Sequence, residues 1–292
     1  MVGILGSVLE NRTDDVRGTI TEEMLMSTSI LLNFVTGWTE ITDETERFQT
    51  TSNILTFVDN LGFLYSDRSA CQEESVSLAS TNINLTIRTF SQPPLEEVCF
   101  DPAGSGQQRI CLPPASLPNT ECSTAVSTHF ALDQARMELM FPREMKNYVL
   151  LNREKIIFNP HLIGLTINNK SLDLDQGLLV AIEFEHNGFE VKNISFLILL
   201  IRSVQLATDR HCVWWSHTDL SWSSAGCELS SVEITEERTV CHCDHLTNFA
   251  IMFDFQGKAE VDDKILNTLT NVCLSISCYS ILLTQAFLAF IK

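Results

Sequence analysis

Four cysteines toward the C-terminal end restrict the folds open to this chain more than any other feature. Between Cys212 and Phe255 the sequence runs CVWWSHTDLSWSSAGCELSSVEITEERTVCHCDHLTNFAIMFDF, with spacing C-x14-C-x13-C-x-C. Cys241 and Cys243 are two residues apart, so on a strand both sulfurs leave the same face. Each can then reach a separate partner on a neighbouring strand, and two bridges would clamp one strand just ahead of His245. The competing arrangement is a zinc site built from Cys241, Cys243 and one of His211, His242 or His245. Structural zinc favours C-x2-C spacing, and the chain carries signs of export; both weigh against metal.

This stretch resembles the GPS motif, the cleavage site of GAIN domains, which stand outside the membrane in adhesion-class G-protein-coupled receptors and in polycystin-like proteins. The family's C-x-x-W matches Cys212-Val213-Trp214-Trp215. Its W-x-x-x-G-C matches Trp222 to Cys227 through Gly226, and its C-x-C-x-H-L-[ST]-x-F-A matches Cys241 to Ala250. Trp215, Trp222 and Gly226 form the core of the motif. The resemblance implies bridges Cys212–Cys241 and Cys227–Cys243; spacing alone leaves the connectivity open.

The same resemblance implies chemistry at His245-Leu246-Thr247. A hydroxyl is a weak nucleophile until a base removes its proton, and histidine suits that task near neutral pH. His245 would deprotonate Thr247, whose oxygen would attack the Leu246 carbonyl in an N-to-O acyl shift; water would then hydrolyse the ester. The product is a chain cut between Leu246 and Thr247. The blander reading of His-Leu-Thr is a surface turn. A trans peptide bond is stable, so the fold must hold the attacking atom in place. This is single-turnover self-cleavage, with no cofactor, no metal and no enzyme activity on a foreign substrate.

Three signals bear on compartment. Ten cysteines are many for a cytosolic chain of 292 residues. Four N-x-[ST] sequons, at Asn11, Asn84, Asn169 and Asn193, are candidate glycosylation sites. Ile265 to Ile291 contains no charged residue, and a helix needs about 20 apolar residues to cross a bilayer. Asn267, Thr268, Thr270, Asn271 and Gln285 suit a helix packed against other helices; a buried helix of a soluble domain is the alternative. Net charge is −18, which argues against nucleic acid as a partner. Met1 is not followed by a signal-peptide pattern, and the chain stops at Lys292 just after the apolar run, so it reads as a fragment.

The expected fold is α+β: a small helical subdomain, a disulfide-clamped β-sandwich of GAIN type, then one transmembrane helix. The expected boundaries are 1–66 for the helices, 67–255 for the sandwich including the GPS motif at 212–255, 256–263 for a linker and 264–292 for the membrane helix. In the first part Val16, Ile20, Met24, Leu31, Phe34 and Val35 suggest a helical stripe, with Thr19-x-x-Glu22 as a capping box and Gly37 as the stop. A second helix is expected from about Ser52, with Ile54, Leu55, Val58, Leu61 and Leu64 inward. Residues 82–90 alternate as a half-buried strand, and Leu178–Phe184 and Ile194–Ile201 read as buried strands. Pro93 to Pro118 reads as a long irregular connection holding Cys99 and Cys111, with Cys71 and Cys122 nearby and pairings open. His186 reads as structural or exposed rather than catalytic.

The strand from Thr247 alternates Thr247, Phe249, Ile251, Phe253 and Phe255 against Asn248, Ala250, Met252 and Asp254. Both faces are mostly apolar, which places the strand inside the fold. Burying Phe249, Ile251, Met252 and Phe253 contributes roughly 1.5–3 kcal/mol each, so the two pieces would stay together after a cut. In the receptor family this strand is a tethered agonist. Thr247, Asn248, Phe249, Ala250, Ile251, Met252 and Phe253 would insert into the seven-helix domain once the outer piece leaves. The implied setting is the plasma membrane with residues 1–263 extracellular. The implied partners are the protein's own seven-helix domain, an unknown extracellular protein ligand and a G protein. A polycystin-like membrane protein and a non-signalling adhesion module are the alternatives.

Overall fold

The computed structural model describes residues 14–66, 73–101, 104, 108–114, 116–117, 122–145, 156–168, 179–186, 208–231, 235, 238–255 and six positions between 271 and 280. The chain divides into two compact units, 1–193 with 210–254, and 194–209 with 255–292.

The first unit opens with helices α1 (Asp14–Asn33), α2 (Val35–Glu40) and α3 (Glu44–Tyr65). The Asp43 side chain caps α3, accepting from the backbone N–H of Thr45 at 2.8 Å and of Glu46 at 3.4 Å. Glu44 and Glu46 sit in its first turn, where the helix dipole favours acids. The helix therefore starts eight residues before Ser52. Leu55, Val58 and Leu61 point inward as expected, and Phe63 joins them, while Ile54 and Leu64 are half-buried. The stripe expected on α1 is corrected. Leu31, Phe34 and Val35 are exposed, and the inward row is Thr21, Leu25, Thr28, Ser29 and Leu32. The hydroxyl of Thr28 returns to the Met24 carbonyl at 2.8 Å and that of Ser29 donates to Asn82 Oδ1, so small polar residues fill this face at little cost. Thr19 lies within α1 rather than at its cap, and Gly37 lies within α2.

Thirteen described strands follow: β1 (Glu74–Ala79), β2 (Ile83–Phe90), β3 (Val98–Phe100), β4 (Gln108–Leu112), β5 (Ser123–Ala131), β6 (Ile156–Phe158), β7 (His161–Ile167), β8 (Val180–Glu185), β9 (Thr208–Ser216), β10 (Ser221–Ser223), β11 (Cys227–Leu229), β12 (Arg238–Cys243) and β13 (Asn248–Phe255). A short helix, α4 (Gln134–Met140), lies between β5 and β6. The larger sheet runs β1-β2-β5-β7-β13-β9-β10, with β6 also paired to β13; the smaller runs β11-β12-β8-β4-β3. The stretch expected to be irregular holds two strands of the smaller sheet, β3 and β4, joined by a Cys99–Cys111 bridge at facing register positions. Cys122 is also disulfide-bonded. The expected strand at 194–201 lies outside the described residues, as do Asn11, Asn169 and Asn193.

One face of the larger sheet carries the helices. Leu25, Leu55, Val58 and Phe63 share a single core with Val126, Val213, Trp215, Trp222, Ala250 and Met252. The smaller sheet supplies groups to the opposite face. His186, at the end of β8, stacks edge-on against Phe253, and the Cys212–Cys241 bridge joins β9 to β12. Hence both faces of β13 are dry: Asn248 through Phe253 are each 3% exposed or less.

The second unit contains helical positions at 271, 272, 274, 275, 277 and 280. Among the described residues no helix is long and apolar enough to cross a membrane. The expected span at 265–291 falls mostly outside those residues.

Candidate functional site

The expected site residues converge where β12 ends and β13 begins. Strand β12 is pinned twice. Cys227 and Cys243 are register partners on β11 and β12, bridged with Cα atoms 4.1 Å apart. Cys212 of β9 bridges Cys241 with Cα atoms 5.9 Å apart. One bridge therefore closes within the smaller sheet, and the other ties the two sheets together. All four sulfurs are spent, so the zinc arrangement has no thiolate to use. Glu97, Cys99 and Cys111 also cluster, but those two cysteines are bonded to each other.

The tryptophans build the wall behind this corner. Trp215 and Trp222 are register partners on β9 and β10, both fully buried, with ring centroids 5.3 Å apart, and Phe141 packs against both. The Trp215 indole donates to Ser52 Oγ at 3.3 Å, and Ser52 lies 2.6 Å from His217 Nδ1. This fastens α3 to the motif. Trp214 turns the other way, donates to the Ala225 carbonyl at 2.8 Å and stands edge-on to His245, 4.7 Å between centroids.

His245 is the only described histidine beside the Leu246–Thr247 bond. Its Nδ1 lies 2.7 Å from Asp244 Oδ1, and its Nε2 is buried with no hydrogen-bond partner. A carboxylate at Nδ1 holds the ring in the tautomer that leaves Nε2 free to accept a proton. Trp214 and Phe249 flank the ring. Leu246 is 1% exposed, and the Thr247 carbonyl accepts from the Leu165 backbone at 3.1 Å, so the bond between them is anchored on both sides. The Thr247 hydroxyl donates to the Trp215 carbonyl at 3.5 Å.

Asp244 is the residue that the sequence reading missed; its signal was an acid directly before the histidine. Gly226 explains its position. That glycine has φ +72°, and a Cβ there would lie 2.2 Å from Asp244 Oδ1. The Asp244 N–H also donates to the Gly226 carbonyl at 2.9 Å. Only glycine combines that conformation with so close an approach.

His186, His129 and His161 are largely buried, with neighbours of their own. His186 is buried, with Asn159 Nδ2 at 2.8 Å and Thr239 Oγ1 at 2.6 Å, and burial lowers its pKa to about 4 with Arg210 and His161 adding to the shift. His129 stacks on His161, and burial followed by His161's charge lowers it to about 3. Asn84 is half-buried on β2, its Nδ2 lying 3.3 Å from His129 Nδ1.

Comparison with known proteins agrees with this geometry. Residues 75–257 match the family model described as GPS, GAIN subdomain B. Latrophilin Cirl of Drosophila persimilis is 25% identical over 75% of this chain, which covers 13% of that protein. Latrophilin-like protein 1 of Caenorhabditis elegans is 42% identical over 28% of the chain and 8% of its own length. Cadherin EGF LAG seven-pass G-type receptor 2 of Homo sapiens is 35% identical over 28% of the chain and 3% of its own. The chain thus spans a small part of each of these relatives. With the family match covering well over half of it, the chain belongs to the GPS family of GAIN subdomain B.

Proposed function

We propose that this chain is the self-cleaving GAIN/GPS region of an adhesion-type G-protein-coupled receptor, cut between Leu246 and Thr247. The observation that carries the reading is the pair Asp244–His245: Nδ1 is held by a carboxylate, and Nε2 is buried and unpartnered next to the scissile bond. Nε2 takes the proton from Thr247 Oγ1. The oxygen attacks the Leu246 carbonyl carbon, the C–N bond breaks, and the proton passes to the Thr247 nitrogen. Water then cleaves the ester, leaving a carboxylate on Leu246 and a free amine and hydroxyl on Thr247. The Cys227–Cys243 bridge and the Trp214 ring hold His245 in place while this occurs.

The new N-terminal segment, Thr247 to Phe253, then stays as β13 because both its faces are buried. When the outer piece is pulled off, this segment becomes the tethered agonist of the seven-helix domain. Residues 265–291 form the first membrane helix, and the stretch before them is extracellular and glycosylated at the plasma membrane. The seven-pass receptor among the relatives supports this setting. Its G protein and its extracellular protein ligand act through parts beyond this chain.

A second reading is an uncut adhesion module. The Thr247 hydroxyl pointing to the Trp215 carbonyl favours it, since that contact diverts the nucleophile. The two separate on a denaturing gel: wild type gives two pieces under the first reading, and His245→Ala and Thr247→Ala give one. One piece in all three supports the second.

A further inference from the structure

Among the buried ionisable groups that the cleavage chemistry leaves unused is one carboxyl. Asp59 lies on α3, beneath the larger sheet, with its carboxyl buried. Thr166 Oγ1 of β7 donates to Asp59 Oδ2 at 3.3 Å. Thr128 of β5 and Asn248 of β13 are its other side-chain neighbours. Those two converge on a space kept open by Gly164: a Cβ on that glycine would lie 2.5 Å from both Thr128 Oγ1 and Asn248 Oδ1. Asp59 Oδ1, Thr128 Oγ1 and Asn248 Oδ1 are all buried, and none makes a well-formed hydrogen bond, although Thr128 and Asn248 stand close enough to Asp59 to act on its carboxyl. The Thr128 hydroxyl is a donor, but it can serve only one of the two acceptors, Asp59 Oδ1 and Asn248 Oδ1, and leaving the other unmet is costly. Asn248 is the residue directly after Thr247, whereas Asp59 stands on the other side of the proposed cut.

We propose that Asp59, as a neutral carboxylic acid, is the anchor that retains the start of β13 in the sheet after the Leu246–Thr247 bond is cut, by donating a hydrogen bond into the Asn248–Thr128 cluster. The proposal rests on the cleavage reading above. A proton on Asp59 supplies the second donor that the cluster needs, and it removes an uncompensated charge from the interior. Burial pushes this carboxyl up from 3.8 to about 7, and the side chains of Thr128, Thr166 and Asn248 offset only part of that.

The direction of the pH effect follows. The retained state holds its proton up to about pH 7, and a released, hydrated Asp59 loses it near 3.8. Retention is therefore strongest below the lower value, weakens as pH rises between the two, and levels off above the upper one. No charged neighbour contributes to the shift. On α3 the charged residues Glu44, Glu46 and Arg47 lie at the far end of the helix. Glu22 and Glu23 of α1 are exposed. Arg136 and Glu138 of α4 pair with Asp133 and Arg143. Arg88 of β2, His129 of β5 and His161 of β7 fall on the opposite sheet face by strand alternation. On the β13 side, Asp244 and His245 pair with each other, and Asp254 sits at the other end of the strand.

The test follows the cut full chain, tagged at its N-terminus and held through its C-terminal piece, and measures release of the tagged piece against pH. Each pH unit between about 4 and 7 changes retention by up to about tenfold. Wild type is expected to release about tenfold or more faster near pH 8 than near pH 5. Asp59→Asn, which keeps a neutral donor, releases slowly at both, and Asp59→Leu releases fast at both. A wild-type rate that ignores pH, or an Asp59→Asn chain that keeps the wild-type profile, overturns the anchor. If the gel shows an uncut chain, the cleavage reading has failed instead. The anchor is then read in that chain from the thermal midpoints of Asp59→Leu, Asn248→Leu and the double variant: strong coupling supports it, and additive losses overturn it.

Discussion

Replacing Gly226 with alanine tests how this corner positions its base. A Cβ at Gly226 would sit 2.2 Å from Asp244 Oδ1, 2.8 Å from Cγ and 2.9 Å from Oδ2, distances no packed side chain tolerates. Backbone relaxation is restricted, because Cys227 is bridged to Cys243 on one side and Asp244 follows Cys243 on the other. The carboxylate must therefore swing away, which takes Asp244 Oδ1 off His245 Nδ1. Two consequences differ in kind. The positive φ costs alanine roughly 1–2 kcal/mol of stability. Loss of the Asp244 partner slows cleavage by about 10- to 100-fold, less than the 10²–10⁴ assigned to losing a general base outright. The assay is a pulse-chase of the expressed chain, scored as the cut fraction on a denaturing gel, beside Asp244→Ala and the double variant. If the alanine acts by evicting the carboxylate, Gly226→Ala and Asp244→Ala slow cleavage alike and the double is no slower than either. Wild-type cutting in Gly226→Ala, or multiplicative slowing in the double, refutes the reasoning.

Two further predictions concern stability. Replacing both Cys212 and Cys241 with serine removes a closure across 29 residues, worth about 3–4 kcal/mol on the chain-entropy model; denaturant titration that shows a loss well under 1 kcal/mol counts against the bridge as the sheet-to-sheet clamp. His129 and His186 have folded pKa values lowered to about 3 and about 4. Their contribution is complete above the ordinary histidine value of 6.5 and is lost as pH falls toward those numbers. Thermal midpoints in acid should fall for wild type and fall less for His129→Gln.

The legibility of this chain varied with the physical signal. The GPS corner was readable because the family's motif sets particular residue types at fixed spacings, and Cys212, Gly226, Cys241 and His245 each occupy one. The strand after Thr247 was readable from alternation, since two apolar faces need cover on both sides. Helix α1 departs from the expected stripe because apolarity alone does not dictate burial. Its inward face uses Thr21, Thr28 and Ser29, and the hydroxyls of Thr28 and Ser29 find acceptors on Met24 and Asn82, while Leu31, Phe34 and Val35 face outward. The strands β3 and β4 hid among prolines because each is short and their pairing depends on a distant partner, β8. Asp244 and Asp59 went unassigned for a related reason. Their roles come from Gly226 and Asn248, which only the folded chain brings beside them.

The most direct measurement is intact mass and N-terminal analysis of the folded, unreduced chain after expression through the secretory pathway. The account predicts two species that co-purify, the smaller one beginning with Thr247 and the larger one ending at Leu246. A single species carrying an unbroken Leu246–Thr247 bond would contradict it.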